Sequence, residues 1–439
     1  MKSIFKMSDD GDSVCYKNIY YINGDFLYLS TEKENIPYVN KWTNSCEWRP
    51  NIKIFNSEND IIDYINSFEE KEEIELSLLG DVLWQDNIGH TLYDGLYPSY
   101  LALIKFGYVH EAFTFITNKW PRYSRGDLLS LNAATTFLNG DKILEYSQFI
   151  ENKIIHFKTL ISGTGKTGNR VMNQKYTLYG TEYNGVQKFK ERMLKSFNVY
   201  EQIVDKNNIK IAIINNKRYN NKEKEVLDNI IKYFNSLPNI DIKFIDWSKC
   251  ENFKEQLELV KNFDIHISSP GTGMLYMPFL KKGSVNINLG YMEHTQTNDS
   301  RPNIKIENTN KTDFLLPGWM EQSVCAGANY ISTLYYDRSI YNNIEYDELI
   351  RIINKAIYLI ENDIIQDVNL NTDALVFVEY CKRVNNSQEV CDHLTNIAFF
   401  IELFVNEHPK AVPNNIVDIE LLRKIKDEFK YNRQYEIKI

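Results

Sequence analysis

Between Ile209 and Leu289 short apolar runs alternate with amphipathic stretches in a regular rhythm. "IKIAIINN" reads as a strand and Lys222 to Leu237 as a helix. "DIKFIDW" is a strand, Phe253 to Asn262 a helix and "FDIHISS" a strand. A glycine-containing turn then leads into Met274 to Leu280 as a short helix, and "SVNINL" closes as a strand. Strands that alternate with helices in this way imply parallel βαβ units and a doubly wound sheet.

The rest of the chain must supply further folding units. At 439 residues it exceeds one compact core, since a domain takes roughly 150 residues. A hydrophobic fraction of 43% and an aromatic fraction of 13% exclude wholesale disorder. "VCYKNIYYINGDFLYLS", residues 14 to 30, reads as two strands around the hairpin dipeptide Asn23-Gly24. A polar stretch follows, and from Ile74 a mixed α/β region begins, ending in an amphipathic helix over Asn184 to Phe197. The last hundred residues carry helix candidates at Asp347 to Glu361 and Cys391 to Val405.

The charge balance, 50 basic against 59 acidic residues, argues against duplex nucleic acid as a partner and leaves room for a local basic pocket. The six cysteines form no CxxC and no zinc-spaced cluster, so they read as thiols in a reducing compartment, or as a Cys15–Cys46 bridge if the protein is secreted. No metal site and no cofactor are expected. The first residues lack the apolar run of a signal peptide, and no stretch approaches the ~20 apolar residues of a membrane span. A cytoplasmic location is expected.

"ISGTGKTGNR" contains the Gly165-Lys166-Thr167 of a phosphate-binding P-loop, but Leu160 stands where the first glycine belongs. Gly168 and Asn169 are poor helix starters, so the stretch is expected to be a Gly-rich turn where Lys166 could meet an anion. "GTGMLY" begins a dinucleotide fingerprint at Gly271 and Gly273, yet Tyr276 replaces the last glycine and no acidic residue ends a following strand. A glycine turn from a strand into a helix N-terminus still suits a phosphate.

The residues best suited to chemistry lie in "WQDNIGHTLYDGLYP". Asp86 or Asn87 is placed to cap a helix running through Leu103. His90 and Asp94 are then four residues apart on one face, where the carboxylate can orient the imidazole and raise its basicity. Such a pair suits removal of a proton from a hydroxyl, or simply ties the helix to its neighbour. Pro98 predicts a kink or a break one turn later. His266, on a buried strand, reads as a core histidine with a backbone partner, and Tyr276 as a packing residue that could touch a donor base.

With these residues the chain resembles glycosyltransferase family 61, which includes protein O-linked N-acetylglucosaminyltransferases and plant xylosyl- and arabinosyltransferases. The family's N-x-x-H-x-x-x-D is matched by Asn87, His90 and Asp94, followed by "LYP". Its late "HGAGL…FLPPGSVVIEL" is matched by "PGTGMLYMPFLKKGSVNINL", residues 270 to 289. Its "R-x-x-N-E" after a strand is similar to "IAIINNKRYNNKEKEV", with Arg218 and Asn221 in the matching places. "VCYKNIYY" and "SVCAGANYISTLYY" match as well, so the resemblance covers about residues 14 to 340. Pro270 stands where the family has His, and Thr272 where it has Ala.

The resemblance implies a GT-B fold: two Rossmann-like domains facing across a cleft, here with a helical C-terminal extension. The divisions expected are an N-terminal β-rich segment, 1–73, packing on an acceptor-side domain, 74–200. A nucleotide-sugar-binding domain, 201–340, and the extension, 341–439, follow. It implies inverting, metal-independent transfer from a nucleotide sugar, UDP-linked N-acetylglucosamine or xylose first, to a hydroxyl on a glycan or protein. His90 with Asp94 would deprotonate the acceptor, or Asp94 would be the base and His90 an acceptor ligand. Arg218, Asn221 and the turn Pro270, Gly271, Thr272, Gly273 and Met274 would bind the donor. Asn87, Lys166, Tyr276, Glu293 and His294 are further candidate ligand contacts. The only D-x-D, Asp10 and Asp12, lies in a polar N-terminus and not at the end of a buried strand. The alternative function is a non-catalytic module that binds a glycan or a partner chain, which Pro270 favours.

Overall fold

The computed structural model of the chain describes residues 1–41, 47–82, 84–140, 142–145, 153–163, 184–217, 219–269, 271–289, 328–336, 343–365, 376, 379–385 and 418–430. The chain divides into two compact units, Met1–Thr167 with Glu182–Asn198, and Gly168–Thr181 with Val199–Ile439. It is mixed α/β, and among the described residues no helix is long and apolar enough to cross a membrane.

The first unit is built on an eight-stranded sheet. Its strands are β1 (Ile4–Met7), β2 (Val14–Ile22), β3 (Asp25–Ser30), β6 (Asn51–Ile54), β7 (Glu70–Leu79), β8 (Thr114–Thr117), β9 (Ile143–Glu145) and β10 (Lys153–Ser162). A small separate ribbon joins β4 (Val39–Asn40) to β5 (Glu47–Trp48). The order is β6-β3-β2-β10-β7-β8-β9, with β1 also on β2. Strands β10, β7, β8 and β9 are mutually parallel, and β2 joins them antiparallel along β10. The N-terminal strands are therefore hydrogen-bonded members of this sheet, and the division expected after residue 73 falls inside β7. The β2–β3 hairpin turns through Asn23 and Gly24, both at positive φ, as the dipeptide predicts.

Leu160, which occupies the first-glycine position of the P-loop spelling, is a buried residue of β10 paired with Ser77. The strand ends at Gly163, whose φ is +112° and whose missing Cβ would fall 2.3 Å from the Asp12 carbonyl oxygen. Asp10 is ion-paired to buried Lys105 at 2.6 Å and accepts a hydrogen bond from Ser8. The D-x-D thus braces the N-terminal loop.

The helices of this unit are α1 (Glu58–Asn66), α2 (Ile88–His90), α3 (Tyr97–Lys105), α4 (Arg125–Phe137) and α5 (Gly185–Ser196), of which α1 and α3 pack on the sheet. Helix α5, read from its amphipathic pattern, returns to this unit through Arg192. That buried guanidinium donates to the carbonyl oxygens of Phe137, Val109 and Glu111 at 2.9–3.0 Å.

The second unit contains a five-stranded, wholly parallel sheet. Its strands are β11 (Ile209–Ile214), β12 (Ile240–Ile245), β13 (Ile265–Ser268), β14 (Val285–Asn288) and β15 (Ser332–Tyr335), in the order β12-β11-β13-β14-β15. This is the 2-1-3-4-5 order of one common doubly wound arrangement. Strands β13 and β14 are buried along their whole length, as parallel strands covered on both faces must be.

Helix α6 (Asn221–Asn235) and helix α8 (Tyr346–Glu361) share one core with the sheet. There each buried Ile or Leu contributes about 1.5–3 kcal/mol. The first helix beyond residue 341 is therefore part of this core and not an appended layer. Helix α7 (Phe253–Val260) packs through Phe253 against Tyr276 and Phe279. Helix α9 (Ile419–Lys430) bonds through Glu428 to Arg383. The helix expected at Cys391 to Val405 lies outside the described residues.

Replacing Arg192 with Met is expected to lower unfolding stability by about 3 kcal/mol or more, because three buried carbonyls lose their donor. Urea titration of the first unit's aromatic signals measures this. In the second unit, burial drives the fully enclosed His266 imidazole down to about 4, with its hydrogen bond to Asn286 opposing. The unfolded chain protonates His266 below about pH 6.5 whereas the folded one does not. Stability should therefore fall as pH drops from about 6.5 toward 4, by on the order of 3 kcal/mol. His266→Gln should flatten that slope in denaturant titrations across the same pH range.

Candidate functional site

In open α/β sheets ligands collect outside the carboxyl ends of the strands, at the point where strand order reverses. In the first unit the chain runs outward through β7, β8 and β9 and then returns to the other side of β7 as β10. The reversal therefore lies between β7 and β10. The segment leaving β7 carries the candidate residues.

Asp81, two residues beyond β7, is buried and latches the strand ends together. It pairs with Lys41 at 3.2 Å and accepts from the Thr117 hydroxyl and the Asn118 N–H of the β8 exit. The chain then turns at Trp84, whose carbonyl accepts the Asn87 N–H. Asn87 is the cap of α2, its side-chain oxygen accepting from the Gly89 N–H at 3.0 Å. Of the two capping residues expected, Asn87 takes the role.

From Ile88 to Lys105 the backbone is continuously helical, but Thr91 to Leu96 form a π-turn. The Tyr97 N–H reaches back five residues to Leu92. The distortion expected one turn after Pro98 is found one turn before it. In an α-helix the proline ring collides with the carbonyl four residues earlier, here Asp94, and the wider turn moves that carbonyl aside. Gly95 lets the bulge rest on the segment leaving β7, since a Cβ there would meet Val82 Cγ2 at 2.5 Å.

The π-turn presents His90 and Asp94 as a hydrogen-bonded pair, imidazole Nδ1 to carboxylate Oδ2. The Asp94 side chain is 4% exposed and the His90 side chain 26%. A carboxylate only accepts, so Nδ1 is the donor of this pair and Nε2 is the ring nitrogen that Asp94 does not engage. In this pair the buried Asp94 carboxylate fixes the orientation of the His90 ring. Asp94 Oδ1 and the Thr91 hydroxyl are buried with no hydrogen-bond partner among the described residues.

In the second unit the order reverses between β11 and β13. The glycine turn follows β13 at that point. Gly271 has φ +126°, and a Cβ on Gly273 would stand 3.0 Å from Ile214 Cγ2 of β11. The Ser269 hydroxyl, just before the turn, donates to the Tyr219 hydroxyl beyond β11 at 3.4 Å. Beneath it, His266 Nδ1 bonds Asn286 Oδ1 at 2.9 Å.

Two expectations about this turn are corrected. Met274 to Phe279 form a six-residue 3-10 segment containing Pro278, all buried, and not an α-helix with a strong N-terminal dipole. Its first donors bond within the turn, Met274 N–H to Gly271 and Leu275 N–H to Thr272. The Met274 side chain is core, against Asn286, so neither its N–H nor its side chain faces a donor. Tyr276 is buried as well, stacked on Trp247 with its hydroxyl donating to Gln256 at 2.6 Å, and cannot reach a nucleobase. Asn221 is the exposed first residue of α6, which Asn220 caps. Arg218, Pro270, Lys166, Glu293 and His294 lie outside the described residues.

One acidic residue was missed. Asp246 closes β12, the strand beside β11, and caps a short turn by accepting the Ser248 N–H at 2.9 Å. Hydrogen bonds from Ser248 hold its carboxyl below the usual range. It borders a groove of about 520 Å³ shared with Lys249, Glu255 and Glu258. An acid at the end of the second strand is where a doubly wound sheet meets a ribose. The terminal Asp of "DIKFIDW" carried that signal, but only strand order identifies β12 as the relevant neighbour.

Gly95→Ala is expected to cost about 1–3 kcal/mol by overpacking Val82. Adding Val82→Ala should recover part of that loss, a non-additive pair that a thermal-unfolding double-mutant cycle would detect. Compared with known proteins, the chain matches no family model and no curated sequence.

Proposed function

We propose that the chain is an inverting, metal-independent glycosyltransferase of GT-B type. It moves a sugar from a nucleotide sugar, with UDP-linked N-acetylglucosamine or xylose favoured, to a hydroxyl on a glycan or protein. The observation that carries this reading is the His90–Asp94 pair, an oriented imidazole at the carboxyl end of β7 whose second nitrogen Asp94 does not engage.

In this mechanism His90 Nε2 takes the acceptor hydroxyl proton as the oxygen attacks C1 of the donor sugar. The C1–O bond to the diphosphate breaks, its electron pair leaves with the nucleoside diphosphate, and the anomeric centre inverts. Asp94 holds the ring and balances the charge of the imidazolium that forms. Donor binding falls to the second unit, where the glycine turn at the reversal of strand order supports a phosphate role. Asp246 is assigned to the ribose hydroxyls, and Arg218 to the charge developing on the diphosphate.

Nucleoside diphosphate release from UDP-, GDP- and dTDP-sugars, with and without EDTA, tests the reading. One donor is expected to turn over regardless of EDTA. His90→Ala should slow transfer by roughly 10²–10⁴-fold, the usual contribution of a general base, with donor affinity nearly unchanged. Full activity in both His90→Ala and Asp94→Asn would sink the assignment, and no release or binding of any donor would favour a non-catalytic binding module.

A further inference from the structure

Nine non-glycine residues among those described have positive φ, and eight are Asn or Asp, whose short polar side chains tolerate that region. The ninth is Trp84, at φ +53°. A bulky aromatic side chain is a poor occupant of this conformation, and such strain persists only where the surroundings or function demand it. Packing does not demand it here, because the Trp84 side chain is 58% exposed. Among the described residues its one ring contact is with the His90 imidazole, centroids 4.7 Å apart at 68°. The strained turn therefore holds an indole face outward beside the oriented imidazole.

A second exposed ring stands at the same strand ends. Tyr123, 88% exposed, lies on the loop that leaves β8 and enters α4. The first turn of α4 presses against the segment carrying Trp84, since a Cβ on Gly126 would sit 2.0 Å from the Asp86 carbonyl oxygen. Exposed aromatic faces of this kind bind apolar surfaces that carry polar groups at their edges.

We infer that Trp84 is the acceptor platform of the site and that the acceptor is a saccharide, one pyranose ring lying on the indole with a hydroxyl directed at His90 Nε2. This rests on the transferase reading above and names its substrate class. A sugar ring fits both neighbours: its axial C–H bonds give a flat apolar face for the indole, and its equatorial hydroxyls lie at the edge, where the imidazole stands. A serine or threonine side chain offers a hydroxyl but no such face.

The test uses the intact chain, with methyl β-glucoside, methyl β-galactoside and a serine-containing peptide as probes. Binding is read by saturation-transfer NMR and acceptor KM by nucleoside diphosphate release. Trp84→Ala should weaken glycoside binding and raise acceptor KM at least about tenfold, with donor affinity unchanged, whereas Trp84→Phe stays within about threefold of wild type. Trp84→Gly removes the strain, so it should melt at or above the wild-type temperature while losing the glycoside; a merely structural tryptophan would lose stability instead.

Glycoside binding at wild-type strength in Trp84→Ala overturns the platform, as does Trp84-dependent binding of the peptide without the glycosides. Donor turnover with wild-type acceptor KM in Trp84→Ala sinks the platform and leaves the transferase standing. Trp84-dependent glycoside binding without donor turnover sinks the transferase and leaves the platform.

Discussion

The clash between the Pro98 ring and the Asp94 carbonyl organises the first unit's candidate site. An α-helix cannot hold both, and breaking the helix would strand backbone groups that are buried here on every side. The π-turn keeps the backbone bonded while widening it by one residue. Room for the bulge comes from Gly95, which lets the turn lie on Val82, and from Asn87, which caps its beginning. His90, just before that distorted stretch, and Asp94, within it, are hydrogen-bonded to each other across the four-residue spacing.

The second unit meets a different constraint. Strands β13 and β14 are buried on both faces, yet "IHIS" and "VNIN" carry His and Asn into the interior. Burying such groups costs about 1–3 kcal/mol each unless they are bonded. Register answers this: β13 and β14 align His266 with Asn286, and the two bond to each other. The pair lies under the glycine turn, and Asn286 also meets the Met274 sulfur just beyond it. A neutral imidazole in this position lets polar groups support the turn without an unpaired charge in the core.

Local patterns carried the secondary structure well. The strand and helix rhythm from Ile209 to Leu289, the Asn23-Gly24 hairpin and helix α5 all arise from periodicity and turn chemistry that act over a few residues. The His90–Asp94 pairing was legible for the same reason, being four residues apart on one helical run. Boundaries set by long-range packing were not legible. Nothing local tells that β2 hydrogen-bonds to β10, or that the helix after Ile344 completes the second core. The Pro98 distortion was anticipated, but on the wrong side, because the collision partner precedes the proline.

By itself the sequence determined the α/β alternation, the absence of a complete P-loop at Leu160 and the candidate dyad, since each depends on neighbours within a turn or two of backbone. Tertiary structure alone decided where those pieces meet. It placed Asp246 beside the first strand of its sheet, turned Met274 and Tyr276 into the core and tied Asp10 to Lys105. It also held Trp84 outward in a conformation that no propensity favours. These outcomes follow from strand order, burial and steric closure, which join residues far apart in the chain and leave no trace in local periodicity.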